Sequence, residues 1–387
     1  MKILYTSSTI DPTIEKRHFL QLGLNLKALG GDLLFLVPRY GRAENKNHGI
    51  NIVFIPAGKP SPISYIWTEF LRFLYFPFLL LKFRPDVIYN RKALFDFGPP
   101  FWTWLLRISY VVEVNGIIEE ELRINKHSEW YFEWFIKIVK LIEAINYKAA
   151  SRVICVTDGI KRWLLKHYRI KENRLVVMSN GADIDLFQPI NKKECQQKLG
   201  LDENFFYIGF IGSFAPWQGL KTLIMAAKRV KESGYPIRYF LVGSGAQEAA
   251  LRQLVNEMGL KKNVYFAGWV GYETIPLYIN SFNVCYVSKG GLSSGFSPLK
   301  LYEYLACARP VIASRVEGIT EVVEEGKCGF LFKPDNVEEL AEVIVECFKQ
   351  RSNLEQLGFS GRKLVERKYS WRSIAQKTMT LLNEIKL

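Results

Sequence analysis

Ser297, Pro298, Leu299, Lys300 and Glu303 stand close enough along the chain to hold a phosphorylated ligand. Ser297 is a helix-capping residue type and Pro298 suits a first helical turn, so a helix is expected from there to about Ala308. The first backbone N–H groups of such a helix, at Leu299 and Lys300, have no partner within it and face whatever lies off its end. Lys300 adds a positive charge in the same turn. Glu303 falls about one turn further on, near the face of Lys300, where a carboxylate can accept both hydroxyls of a ribose. The same spacing equally describes a plain capped helix with a surface Lys–Glu pair, and spacing alone leaves both readings open.

A second constellation runs through residues 210–219, where a strand enters a loop holding Gly212, Ser213 and Gln218 and closing at Gly219. Glycine at a strand end lets the backbone approach a phosphate. A simple βα turn reads equally well. Gly243-Ser244-Gly245 is a third strand-end turn, an incomplete GxG. His18, His48, His127 and His167 show no metal-ligand spacing, and no metal is expected.

These groups need strand ends to carry them, and the pattern supplies strands. In the first half, short aliphatic runs at 3–5, 33–37, 51–55, 87–89, 110–114, 153–156 and 175–178 are bounded by turn residues. Helical periodicity lies between them, as at 18–29, where Leu22, Leu26 and Leu29 share a face. The alternation then restarts, with strands at 206–211, 239–242, 264–267, 284–287, 311–313 and 330–332 and helices at 219–231 and 247–258. Strands separated by helices predict parallel sheets. The expected fold is α/β: two Rossmann-like domains, 1–190 and 191–370, joined through the polar segment 189–204 with a cleft between them. Ligands would bind at the carboxyl ends of the strands.

A chain of 387 residues with 49% hydrophobic and 23% charged residues is a folded globular one of about two domains. Six scattered cysteines with no CxxC pair predict reduced, mostly buried thiols and a cytoplasmic chain. The start of the chain does not read as a signal peptide, and the longest apolar run, residues 73–81, is too short to span a bilayer. The net charge of +14 is spread over both halves. One run, Lys161, Arg162, Lys166, Arg169, Lys171 and Arg174, faces only Glu172, which suits either a polyanionic surface or a solvated helix face. The aromatic-rich stretches 64–81, 95–104 and 130–135 fit core and membrane docking equally.

The order of these landmarks resembles the family 4 glycosyltransferases, the retaining group of GT-B architecture. In the second half they are the 212–219 loop, Gly243-Ser244-Gly245, Gly268-Trp269-Val270, the SPxK start at Ser297, and Glu303-Tyr304-Leu305-Ala306 leading to Pro310. In the first half, Asn180-Gly181-Ala182-Asp183 resembles a family turn and Arg84-Pro85-Asp86, running on to Tyr89, a family strand, and Ser370-Trp371 opens a last helix. By that resemblance residues 371–387 cross back to the N-terminal domain. Glu303 would bind the donor ribose, Leu299 and Lys300 the diphosphate, Trp269 and Val270 the base, while Gly212 and its loop back the phosphates. Glu113, Asn115 and Glu120 match a family strand end and would contact acceptor or donor sugar. Asp183-Ile184-Asp185 is then a structural turn rather than a metal-binding DxD. Three departures stand out: Ser213 and Gln218 replace the usual Arg and Lys, and Gly295 replaces a sugar-contacting Glu. Lys300 is left as the main cation for the diphosphate.

The resemblance implies transfer of a sugar from a nucleoside diphosphate sugar to a saccharide or lipid-linked acceptor, in cell-surface polysaccharide or glycolipid synthesis. Lys300 and Glu303 would be central. No cofactor is expected and no nucleic acid. An anionic membrane surface is an expected partner, with the chain peripheral on the inner membrane face. A nucleotide-sugar epimerase of similar shape, or a non-catalytic subunit lacking the residues missing at 213, 218 and 295, are the alternatives.

Overall fold

The computed structural model describes residues 1–7, 15–40, 49, 51–57, 62–124, 130–290 and 295–385. Gly291, His48, His127 and most of the first βα loop lie outside them, as does the side chain of Trp130. The chain divides into two compact units, Met1–Ser179 with Trp371–Leu387, and Asn180–Ser370.

The first unit begins β1 (Lys2–Thr6), α1 (Glu15–Ala28), β2 (Asp32–Tyr40), β3 (Asn51–Ala57) and α2 (Pro62–Phe83). It continues β4 (Val87–Arg91), α3 (Gly98–Leu106), β5 (Ser109–Val114), α4 (Ile118–Ile124) and α5 (Trp130–Ala149). The last members are β6 (Arg152–Cys155), α6 (Asp158–His167) and β7 (Leu175–Val177). Its strands form a parallel sheet in the order β3-β2-β1-β4-β5-β6-β7. β5 is buried along its whole length, as a strand covered on both faces must be.

The second unit opens with α7 (Lys192–Lys198), β8 (Phe206–Ile211), α8 (Leu220–Glu232), β9 (Ile237–Val242), α9 (Glu248–Glu257) and β10 (Val264–Gly268). Then come α10 (Ile275–Ser281), β11 (Val284–Val287), α11 (Leu299–Ala306), β12 (Val311–Ser314), α12 (Thr320–Gly326) and β13 (Gly329–Phe332). Two longer helices, α13 (Val337–Lys349) and α14 (Leu354–Leu364), follow. The sheet is again parallel, in the order β10-β9-β8-β11-β12-β13. In β8 alternate residues serve opposite cores: Phe206, Ile208 and Phe210 face one, Tyr207 and Ile211 the other. The final helix, α15 (Trp371–Glu384), crosses back to the first unit and packs on α1. There Thr378 donates to the Met178 sulfur at 3.0 Å, and Ser109 donates to the carbonyl of Ile385 at 2.7 Å.

All six cysteines are buried free thiols. Among the described residues no helix is long and apolar enough to cross a membrane.

Candidate functional site

The second sheet brings three glycine turns side by side. β8, β9 and β10 are neighbours, so the turns at their carboxyl ends, Gly212, Gly243 and Gly268, lie in one row. Backbone hydrogen bonds carry the ladder past the strands: Gly212 N–H donates to Val242 at 3.0 Å and Gly243 N–H to Gly268 at 2.8 Å. A Cβ on Gly243, where φ is +131°, would sit 2.0 Å from the Gly212 carbonyl oxygen, so only glycine fits there. On Gly212 a Cβ would lie 2.8 Å from the Lys300 ammonium.

Lys300 is the centre of this arrangement. Its Nζ donates to Gln218 Oε1 at 2.7 Å and lies 4.1 Å from the centre of the Phe210 ring. Burial brings its pKa down to about 7; the nearby Glu303 carboxylate opposes that shift and Lys289 adds to it. Gln218 is buried, and its side-chain carbonyl holds the ammonium in place. Ser213 is exposed at the loop surface.

The helix that carries Lys300 is held by contacts its own sequence does not announce. Ser297 is not its N-cap. Pro298 takes that position, and the Ser297 hydroxyl instead accepts from the Asn180 N–H at 3.1 Å and pairs with the Tyr302 hydroxyl at 2.8 Å. The Asn180 side-chain amide donates to the Ser297 carbonyl at 2.7 Å. Further along, the Tyr304 hydroxyl accepts from Ile211 N–H at 2.7 Å, tying the helix to the end of β8. α11 also stops at Ala306 rather than Ala308, because Ala308 turns left-handed (φ 51°) ahead of Arg309-Pro310. Leu299 and Lys300 open the helix, where first-turn N–H groups have no partner within it.

Of the other predicted residues, Gly295 is buried against the Glu317 backbone just before α11. Trp269 is 70% exposed beyond β10, with Val270 half-buried beside it. Lys289 was missed, although a lysine directly after a strand and before a glycine loop was a legible cue. It is buried, its ammonium 3.6 Å from the Phe296 ring centre, and its N–H donates to the Ser314 hydroxyl at 3.0 Å. Asn180 belongs to the turn expected from the sequence, and its hold on the helix is an addition that the turn motif does not announce. Asp183 turns its carboxylate onto the N–H groups of Asp185 and Leu186.

In the first unit Glu113 and Asn115 come together. The buried Glu113 carboxylate accepts from the Tyr89 hydroxyl and from the Asn115 amide, each at 2.5 Å, with Arg91 at 3.7 Å. Glu120 is on α4, next to Glu119, which is paired with Arg123 and Lys140. The basic run is partly structural: Lys161 pairs with Glu172 at 3.0 Å, and Arg174 donates to the carbonyls of Tyr147 and Lys148 where α5 ends.

Two family models match, one to each half. Residues 191–364 match the glycosyl transferases group 1 model, and residues 16–186 the glycosyltransferase family 4 model. The chain is 26% identical over 262 residues to a capsular polysaccharide biosynthesis glycosyltransferase of Staphylococcus aureus, covering 65% of this chain and 67% of that protein. Sucrose-phosphate synthase from Thermosynechococcus elongatus superposes with a TM-score of 0.82 at 20% identity, over 99% of both chains. The HepE protein of Anabaena, in complex with UDP-glucose, superposes with a TM-score of 0.77 at 20% identity, over 99% of this chain and 100% of that one.

Proposed function

The chain belongs to the family 4 glycosyltransferases of GT-B architecture, and from that premise we propose that it moves a sugar, with retention, from a nucleoside diphosphate sugar to a saccharide or lipid-linked acceptor of cell-surface polysaccharide or glycolipid synthesis. The observation that carries the donor half of this reading is the Lys300 ammonium, held by Gln218 over the Gly212 turn at the start of α11. A diphosphate seated there meets a cation, free first-turn N–H groups and two backbone turns with no Cβ in the way. Negative charge grows on the diphosphate as the sugar leaves, and groups fixed in advance around it lower the barrier most effectively. Glu303 is assigned to the ribose hydroxyls, and the backbone at Trp269 and Val270 to the base. A solved protein of the same fold that binds UDP-glucose supports a uridine donor as the first to try. The similarity to a capsular polysaccharide biosynthesis glycosyltransferase supports a saccharide acceptor. Glu113, Asn115 and Glu120 are proposed on the acceptor side.

A thermal-shift screen of nucleotide sugars tests the reading, since a ligand stabilises the state it binds. One nucleoside diphosphate sugar should raise the melting temperature, and its sugar should then pass to an acceptor with the anomeric configuration kept. A flat screen, or inversion at the transferred carbon, overturns it.

A further inference from the structure

The helices on one side of the first unit leave large apolar side chains in water. On α2 the buried positions include Thr68, Glu69 and Arg72, while the exposed ones include Trp67, Phe70, Leu74, Phe78 and Leu81. Arg72 is fully buried, paired with Glu69 at 2.7 Å and with Asp96 at 2.6 Å. Glu69 also accepts from the N–H groups of Phe97 and Gly98, which fixes the start of α3 against α2. A water-facing helix places its charges outward and its apolar side chains on the core. Residues 64–72 of α2 do the reverse, and only beyond them do Phe76, Leu79 and Leu80 reach the core.

The neighbouring helices extend the same face. α3 packs on both α2 and α5, and the three form one layer. Trp104 on α3 is 73% exposed, and Trp134 and Leu141 on α5 are 65% and 63% exposed. Monomeric soluble proteins rarely leave so many large apolar groups together in water. The only acid in α2 or α3 is the buried Glu69.

Cations border this face along one edge. α2 ends at exposed Lys82 and Arg84, and α3 at exposed Arg107. The register of β4 on β5 pairs Val87 with Ser109, so Arg84 and Arg107 lie on the same edge of the sheet, where its strands begin. Lys148, near the end of α5, stands at that edge too, because Arg152 pairs with Val111. Apolar rings and leucines beside a row of Lys and Arg complement an acyl boundary beneath anionic headgroups. Among the described residues none of these helices is long and apolar enough to cross a bilayer, and Pro77 and the buried ion pair in α2 agree with a helix that lies on one.

We propose that the α2–α3–α5 face docks on a bilayer containing anionic lipid, with Trp67, Phe78 and Trp104 entering the acyl boundary and Lys82, Arg84 and Arg107 meeting the headgroup phosphates. The basic run 161–174, in which Lys161 and Arg174 have internal partners, is not the docking element. This placement is independent of the donor site, which lies in the other unit.

Flotation of the full chain with vesicles, without nucleotide or acceptor, tests it. Binding to phosphatidylcholine vesicles with about 30% phosphatidylglycerol should exceed binding to phosphatidylcholine alone by roughly 10-fold or more, and should weaken in salt. The variant W67S/F78S/W104S changes only exposed side chains and should lose roughly 10- to 100-fold with circular dichroism unchanged. Lys82→Glu with Arg84→Glu and Arg107→Glu should remove the preference for the anionic vesicles. Should the triple serine variant misfold, quenching of the wild-type tryptophans by acyl-brominated lipid reads the same insertion. No vesicle binding by the wild type, no quenching, or full binding by the folded serine variant each overturns the proposal. So does light scattering that shows a dimer which the serine variant converts to monomers, because the face is then filled by a second copy of the chain.

Discussion

Lys300 is worth most as a cation that its buried surroundings only half sustain. With a pKa near 7, brought there mainly by burial, it is about half charged at neutral pH. A diphosphate beside it favours the charged form, so binding draws in a proton. Affinity for a nucleoside diphosphate is then expected to be level below pH 7 and to fall up to about tenfold per pH unit above it. Calorimetry of UDP across pH 6 to 9 checks this. Lys300→Met should bind roughly 10- to 100-fold more weakly at pH 6 and lose the slope. A sloped profile in the variant would move the titration to another group. The same group makes a stability prediction of opposite sense. Its folded pKa lies below the unfolded value near 10.4, so the unfolded chain holds more protons between the two. The cost of burying the charge is complete below pH 7 and relieved as pH climbs towards 10. Lys300→Met should therefore melt a few degrees higher than wild type at pH 6, with the gain fading by pH 10. Glu303 is tested by comparison of ligands: Glu303→Ala should weaken UDP more than free uracil, and equal losses would remove the ribose contact.

At the scale of elements, the site depends on how α11 and two strand ends are braced. Asn180→Ala removes the side-chain amide's hydrogen bond to the Ser297 carbonyl and is expected to cost about 1 kcal/mol, with weaker nucleotide binding although Asn180 is not assigned to the nucleotide. Urea unfolding beside a UDP titration separates the two effects. Gly243→Ala should cost more, because its Cβ would meet the Gly212 carbonyl with no side chain free to yield. The strands were legible because β-branched runs between turn residues repeat down the chain; β8 and β11 fall on the expected residues. What was not legible is long-range. Ser297 looked like a cap because its type caps helices, and nothing local shows that Asn180 claims its hydroxyl from 117 positions away. Gln218 looked like a lost cation, and only the fold puts its carbonyl on Lys300. α2 hid for another reason. Its apolar residues occupy both faces and Pro77 lies inside it, so neither helical period nor a clean breaker marks it.

Across the whole molecule, the route of the chain makes the second unit a removable part. It begins at Asn180 and ends at Ser370, and those ends lie together: Ala182 N–H donates to the Tyr369 carbonyl at 2.8 Å, and Ala182 bridges to Ser370. The proposed diphosphate contacts, Lys300, Gln218, Gly212 and Gly243, all fall within those limits, as does Asn180 that steadies them. A fragment of residues 180–370 is therefore expected to fold alone and bind UDP within roughly tenfold of the intact chain, without transferring sugar. The first unit has no such independence. Its closing helix α15 buries Trp371, Ile374, Leu381 and Leu382 and arrives only after the second unit is complete. Truncation after Ser370 should accordingly destabilise the first unit by several kcal/mol while leaving UDP binding in place. Calorimetric scans of the truncated chain should show one melting transition lowered and one still raised by UDP. A fragment that melts cooperatively yet ignores UDP would mean that the nucleotide needs groups from the first unit, and the donor contacts would have to be assigned again on that basis.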